Sequence, residues 1–460
     1  MEDMPITPSS TLTSQLFDVL RAEEEPFLPD CYVPPADSAM FTGTRSAVIL
    51  GQTGSGKTAL ARAIERYLNP PGQRQRFLVV PWTLPSLLDE ELSGVALVLA
   101  QVRRVMDLVA QVLIEYLGRH PADWDAAPPW CQDRLHWFIR EYLEGDPEHL
   151  VQSLGEQYDA EGQQLLAHLA ERSPVQVLKP DAPPHLVMQR LLEAWKKMGF
   201  QGIVILMDGV EAWLLITPDR MTSSLHAFLS TLPLFECPGF TFKLLLPARL
   251  EHSLGSAGAA LRGRVNWHRL EWTEDQLEEI VERRLALALG SESLSLDGLA
   301  KGPGLVGWLL RCGGESPRGW LGAVRPFVDA YEQAGRIPLN ADECTAIQER
   351  NPPRLFIEPT TDQVLVGHRP IAKLGEGLDA VLRHLYQYRG RICSRRDLYV
   401  VYMNTLYPDR ERKDVLTPLD YGGVMDTVLW RLRQAVEPDP ANPVHIVTVK
   451  GRGVSLDNTL

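Results

Sequence analysis

Apolar residues along the chain fall into two rhythms. Four short runs are almost unbroken: Ser46–Leu50 (SAVIL), Phe77–Val80, Ile203–Met207 (IVILM) and Phe242–Leu246 (FKLLL). Runs of this length predict strands covered on both faces, as in the middle of a parallel sheet. Elsewhere the apolar positions return every three or four residues. Leu60, Ile64 and Leu68 share one side of a helix, and so do Met188, Leu191, Leu192 and Trp195. Residues 86–198 read as helical almost throughout, so an insertion interrupts an otherwise alternating order of strand and helix. The alternation predicts a doubly wound α/β domain over 45–270, followed by a helical, lid-like bundle over 271–350. Residues 1–44 carry several prolines, the run Glu23-Glu24-Glu25 and little periodicity; they are expected to form a partly ordered lead-in that wraps onto the α/β domain.

The segment Asn351-Pro352-Pro353-Arg354-Leu355 marks a boundary, and 351–460 follows a different pattern. Short strands RLFIE and QVLVG precede a helix with Leu378, Val381, Leu382 and Leu385 inward. A second helix begins after Ser394, a good N-cap, with Arg395 and Arg396 at its start. A third spans Gly423–Val436, with Met425, Leu429, Leu432 and Val436 on its buried stripe. The end, HIVTVKGRGVSL, reads as two strands around the basic tip Lys450-Gly451-Arg452-Gly453. Three helices and such a hairpin predict a winged helix-turn-helix.

Charge refines this picture. The chain of 460 residues carries a net charge of −13, which argues against a nucleic-acid partner if it is spread evenly. It is not: 354–460 holds 15 Lys/Arg against 13 Asp/Glu, the remainder 31 against 46. The acidity therefore belongs to the first three-quarters, and the tail is mildly basic. The six cysteines are scattered without a C-x-x-C pair, so neither a disulfide framework nor a zinc site is indicated. No apolar run is long enough for a membrane helix, and the acidic start Met1–Asp3 lacks the features of a signal peptide. A cytoplasmic protein without a membrane partner is expected.

The most specific chemistry lies at Gly51-Gln52-Thr53-Gly54-Ser55-Gly56-Lys57-Thr58, which fits G-x-x-x-x-G-K-[ST] between an apolar strand and an amphipathic helix. Glycines allow backbone N–H groups to converge on the α- and β-phosphates of a nucleoside triphosphate at a helix N-terminus. Lys57 would reach the β- and γ-phosphates, and the Thr58 hydroxyl would ligate Mg²⁺. ATP with Mg²⁺ is the expected ligand, in a P-loop NTPase sheet. The partner motif is ILMDGVE: Asp208 ends a buried strand, where it would hold Mg²⁺ through water or else cap the next helix. Glu211 would orient or deprotonate the attacking water.

ILMDGVE resembles the Walker B of NACHT-like members of the STAND class of signalling ATPases, relatives of AAA+ proteins. The resemblance covers about 45–335, with the helical insertion as a departure. It implies a sensor-1 role for Arg249 in FKLLLPARL, and a sensor-2 or G-x-P role for Arg318 in GGESPRGWL, both near the γ-phosphate. The C-terminal stretches GRICSRRDL and MDTVLWRLRQAVEPDPANPVHIVTVKGRGVSL are similar to the OmpR/PhoB-type effector domain of response regulators. That resemblance implies binding to double-stranded DNA. Arg431 and Arg433 would lie on or beside the recognition face, Lys450 and Arg452 in the wing, and Arg395 and Arg396 towards phosphate. Ala435 stands where a basic residue is common, Val454 replaces the usual wing aromatic, and Tyr407–Tyr421 is longer than usual. No receiver domain precedes it; the ATPase takes that place.

The combined expectation is an ATP-binding switch with slow hydrolysis of the phosphoanhydride bond, controlling a DNA-binding domain as a transcription regulator. It would form a homo-oligomer on ATP binding and offer the 86–198 insertion to a protein partner. Two alternatives stay open: an ATPase of a defence or signalling assembly that docks proteins through its winged helix, and an initiator-like DNA-loading ATPase.

Overall fold

The computed structural model describes residues 16–17, 22–73, 75–83, 94–144, 157–171, 173–179, 182–211, 214, 217–254, 261, 263–289, 294–301, 304–358, 362–367, 369–408 and 421–459. The first fifteen residues of the lead-in, the start of the insertion at 86–93 and most of the long stretch between Tyr407 and Tyr421 lie outside them. The chain divides into two compact units, Pro34–Glu271 and Met1–Val33 with Trp272–Leu460.

The first unit is an α/β sheet. Strands β1 (Ala47–Gly51), β2 (Phe77–Thr83), β3 (Gly202–Asp208), β4 (Phe240–Pro247) and β5 (Asn266–Arg269) are all parallel, in the order β2-β3-β4-β1-β5. Every residue of β1, β3 and β4 is buried, as the unbroken apolar runs require of central strands. Helix α1 (Lys57–Leu68) follows β1 and buries Lys57, Leu60, Ile64 and Leu68. Between β2 and β3 come α2 (Gly94–Arg119), α3 (Pro129–Tyr142), α4 (Ala160–Glu171) and α5 (Pro184–Lys197). α2 packs on β2 and on α3 and α4, so the insertion shares one core with the sheet instead of forming a lobe of its own. At its centre Trp195 is fully buried, stacked on Phe200 at 3.7 Å and met edge-on by Tyr116. α6 (Pro218–Leu229) follows β3.

The second unit begins with the helices α7 (Glu274–Leu289), α8 (Leu305–Gly313), α9 (Pro317–Gln333) and α10 (Ala341–Arg350). The lead-in divides. As far as Val33 it belongs with this unit and not with the α/β sheet onto which the sequence was expected to wrap it. A buried ion pair between Glu25 and Arg284 of α7, at 2.7 Å, holds it there. Arg284 also donates to the Leu16 carbonyl and lies over the Phe27 ring, while Arg283 donates to the Tyr32 carbonyl.

The remainder is a winged helix-turn-helix. A three-stranded antiparallel sheet, β6 (Leu355–Ile357), β7 (Val364–Val366) and β8 (Arg369–Pro370), precedes α11 (Glu376–Gln387), α12 (Arg395–Leu406) and α13 (Tyr421–Val436). The hairpin β9 (Ile446–Val449) and β10 (Gly453–Leu456) closes it. Val381, Leu385, Leu398, Leu429, Leu432 and Ile446 form its core. Ser394 caps α12 by accepting from the Asp397 N–H. The approach to the wing is fixed by Glu437, whose buried carboxylate accepts from the N–H groups of Val444, His445 and Ile446.

Candidate functional site

The carboxyl ends of β1, β3 and β4 share one edge of the sheet, and the polar groups of the phosphate-type loop gather there. Gly54 and Gly56 adopt φ of 82° and 87°, left-handed values that a side chain resists, which lets the loop curl back to the helix. A Cβ on Gly51 would collide with Ser55 Oγ. Lys57 is buried, and its ammonium donates to the carbonyls of Gly51 at 3.0 Å and Gln52 at 2.9 Å. It also meets Glu211 Oε1 at 2.7 Å.

The Thr58 hydroxyl donates to Asp208 Oδ2 at 2.6 Å, and Asp208 Oδ1 accepts from the Gly209 N–H at 2.8 Å. Burial pushes the Asp208 carboxyl above its ordinary range and the nearby Glu211 adds to this, while the Thr58 and Gly209 hydrogen bonds and Lys57 pull it down. Four of the side chains singled out in the sequence, Lys57, Thr58, Asp208 and Glu211, are thus brought into one cluster. Gly209, part of the ILMDGVE motif but given no role from the sequence, adopts φ 77° in the turn between Asp208 and Glu211, which meets Lys57. Gln52 and Thr53 are exposed on the loop. Arg249 lies just beyond β4 on the same edge, before the short helix Leu250–Ser253. Arg318 is an exposed residue of the first turn of α9, in the other unit.

The loop fits a triphosphate. Gly54 and Gly56 curl the loop onto the start of α1, and Thr58 with Asp208 offers hard oxygen donors of the kind Mg²⁺ takes.

The winged helix distributes its cations unevenly. Arg396, Arg431, Lys450 and Arg452 are exposed. Arg395 is paired with Asp426 of α13 at 2.8 Å. Arg433 reaches the wing, donating to the Ile446 carbonyl at 2.7 Å and to the Thr448 hydroxyl at 2.7 Å. Arg389 and Arg391, in the turn between α11 and α12, were not singled out from the sequence. That turn is joined to β10 through the bonds Gly390 N–H to Leu456 O and Cys393 N–H to Val454 O, and Arg389 stacks on Tyr386 at 4.9 Å. Gly453 at φ 145° is required there, because a Cβ would strike the Cys393 carbonyl.

Comparison with known proteins adds a partial likeness. The chain is 35% identical over 81 residues to a sensory transduction protein, RegX3, of Mycobacterium leprae, and 32% identical over 114 residues to that of Mycolicibacterium smegmatis. These matches take in 17% and 24% of this chain and fit its winged-helix part. The chain spans 34% and 42% of the length of those two relatives. No family model matches. Among solved structures, the Aeropyrum pernix ORC1 protein in complex with DNA aligns over 95% of this chain and 92% of its own, at 16% identity and a TM-score of 0.38. The A. pernix ORC2 protein with ADPNP and ADP aligns over 95% and 94%, at 12% identity and a TM-score of 0.37. Both are loose likenesses of outline.

Proposed function

We propose that the chain is an ATP-binding and ATP-hydrolysing switch of the STAND type, AAA+-related, whose nucleotide state governs DNA binding by its winged helix in transcription control. The observation that carries this is the cluster of Lys57, Thr58, Asp208 and Glu211 in the same chain as a winged helix with exposed Arg396, Arg431, Lys450 and Arg452. The backbone of Gly51 to Thr58 cradles the phosphates and Lys57 neutralises them. Thr58 and Asp208 would hold Mg²⁺, which when bound would supply charge neutralisation for the triphosphate. Glu211 leaves Lys57 when phosphate takes its place and then orients a water, accepting its proton. Arg249 is assigned to sensing the γ-phosphate, and a homo-oligomer is expected on ATP binding. The 86–198 insertion is the surface assigned to a protein partner.

A second reading, a DNA-loading ATPase of the initiator kind, would use the same Lys57, Thr58, Asp208 and Glu211 cluster and the same winged helix. Binding of the full chain to duplex DNA, with and without ATP and Mg²⁺, tests the switch. Lys57→Ala is expected to abolish nucleotide binding and with it any ATP effect on DNA affinity. DNA binding indifferent to ATP counts against the switch. Turnover strongly stimulated by DNA selects the loading ATPase, and loss of a protein partner instead of DNA in Arg431→Ala and Arg452→Ala selects a docking role.

A further inference from the structure

The exposed side of α13 is unusual for a surface meant to grip phosphate. Its buried stripe is Met425, Val428, Leu429, Leu432 and Val436. The opposite side presents Thr427, Trp430, Arg431 and Gln434. Trp430 is 60% exposed, the most open tryptophan among the described residues. The Thr427 hydroxyl donates back to the Gly423 carbonyl at 3.1 Å, so it is engaged by the helix itself. Of the cations close to this side, Arg433 is turned to the wing and Arg395 neutralises Asp426. Arg431 alone remains, beside an indole, a methyl-bearing side chain and an amide.

These groups match base edges better than phosphates. In the major groove a thymine offers a methyl group to apolar side chains, and an adenine offers an N6/N7 pair to the amide of Gln or Asn. Thr427, Trp430 and Gln434 follow one another at about one helical turn, so they meet neighbouring base pairs along the groove. Phosphate contacts are left to Arg396 at the start of α12 and to Lys450 and Arg452 on the hairpin, all exposed.

We propose that α13 reads A·T base pairs in the major groove, with the Trp430 indole against thymine methyl groups and the Gln434 amide on adenine. This rests on the DNA-binding reading above and adds what the sequence-reading groups are. The neutral side chains of α13 set the choice of site, and the cations on α12 and the hairpin set the salt-dependent grip.

The test is selection of randomised DNA duplexes by the full chain in ATP and Mg²⁺, for the wild type, Trp430→Ala, Trp430→Phe and Gln434→Ala. Trp430 and Gln434 are exposed, so these changes leave the core alone. The wild type is expected to enrich sites with a fixed A·T core. Replacing a core thymine by uracil, which removes only the methyl group, should weaken binding about fourfold for the wild type. It should do so for Trp430→Phe as well, and should have no effect on Trp430→Ala. Gln434→Ala should lose its preference at one A·T position by roughly tenfold. A selected core of G·C pairs, or an equal response of Trp430→Ala and wild type to uracil, overturns the inference. Tight binding without any sequence preference overturns it while leaving the DNA-binding reading intact, and the absence of any duplex binding removes both.

Discussion

Glu211→Gln is the change that probes the nucleotide site most directly. A lysine ammonium has three donors. In Lys57 they serve Gly51 O, Gln52 O and Glu211 Oε1, the last at 2.7 Å. An incoming phosphate must displace one of these, and the two carbonyls belong to the loop itself. Glu211, 26% exposed, is the partner free to leave. At an effective dielectric near 20 the Coulomb attraction of such a pair is about 6 kcal/mol. Desolvation and partial exposure leave a net of about 1 to 2 kcal/mol. Replacing the carboxylate by an amide removes most of that competition, so ATP binding should tighten roughly 5- to 20-fold. Loss of the water-orienting carboxylate should meanwhile slow hydrolysis by a factor on the order of 100 to 10,000. Titration with a fluorescent ATP analogue and single-turnover hydrolysis measure the two effects separately. High salt should narrow the gap in affinity between wild type and variant by screening the pair. ATP binding that is unchanged or weaker in Glu211→Gln, at low and high salt alike, refutes the idea that this ion pair gates the site.

Other perturbations carry definite signs. Because the Asp208 carboxyl is held above its ordinary range, chiefly by burial, it takes up a proton early as the pH falls; Mg²⁺-dependent nucleotide binding should therefore fail at a higher pH than an exposed aspartate would impose, as calorimetry across pH would read. Lys243, fully buried in β4 with its ammonium donating to Arg45 O, has its pKa pushed down to about 8 by burial. The native state therefore binds its proton less readily than the unfolded chain, so this group's contribution improves as the pH rises from about 8 towards the ordinary lysine range. Lys243→Met should stabilise the α/β unit by about 2 kcal/mol at neutral pH, with the gain shrinking in alkali, as followed by chemical denaturation. Glu437→Gln should cost the winged helix about 2 to 3 kcal/mol, since its charged oxygens accept from three backbone N–H groups; a thermal melt of the full chain reads this. Glu25→Gln leaves Arg284 buried beside a neutral partner and should cost about 3 to 5 kcal/mol, visible as early proteolysis within residues 16–33.

The sheet was legible in the sequence wherever a strand is buried on both faces, because an unbroken apolar run has few other uses. β5 escaped for the converse reason: Asn266-Trp267-His268-Arg269 is a half-covered edge strand with only one apolar residue. The loop at Gly51 and the carboxylates Asp208 and Glu211 announce their chemistry through spacing. That Glu211 holds Lys57 depends on the turn at Gly209, and no spacing rule conveys it. In the winged helix, helical periodicity gives the buried stripe of α13 but not the fate of a long side chain beside it. Arg433 is one turn from the outward residue Trp430, yet its guanidinium goes to the wing strand, because the Ile446 carbonyl and the Thr448 hydroxyl lie within its reach. The attachment of the lead-in was illegible too. A single ion pair across 259 residues leaves no local pattern.

That separation bears on how the protein is made. Residues 34–271 are contiguous and can complete their sheet as they leave the ribosome, whereas the unit around them cannot close until its late helices emerge. Glu25 is synthesised 259 residues before Arg284. At ordinary translation speeds it waits on the order of 10 to 50 s for its counter-ion. During that interval Leu16, Phe17 and Cys31, all destined for burial, are open to chaperones, proteases or neighbouring nascent chains. The strap must therefore stay unpaired until the helix that receives it has been made.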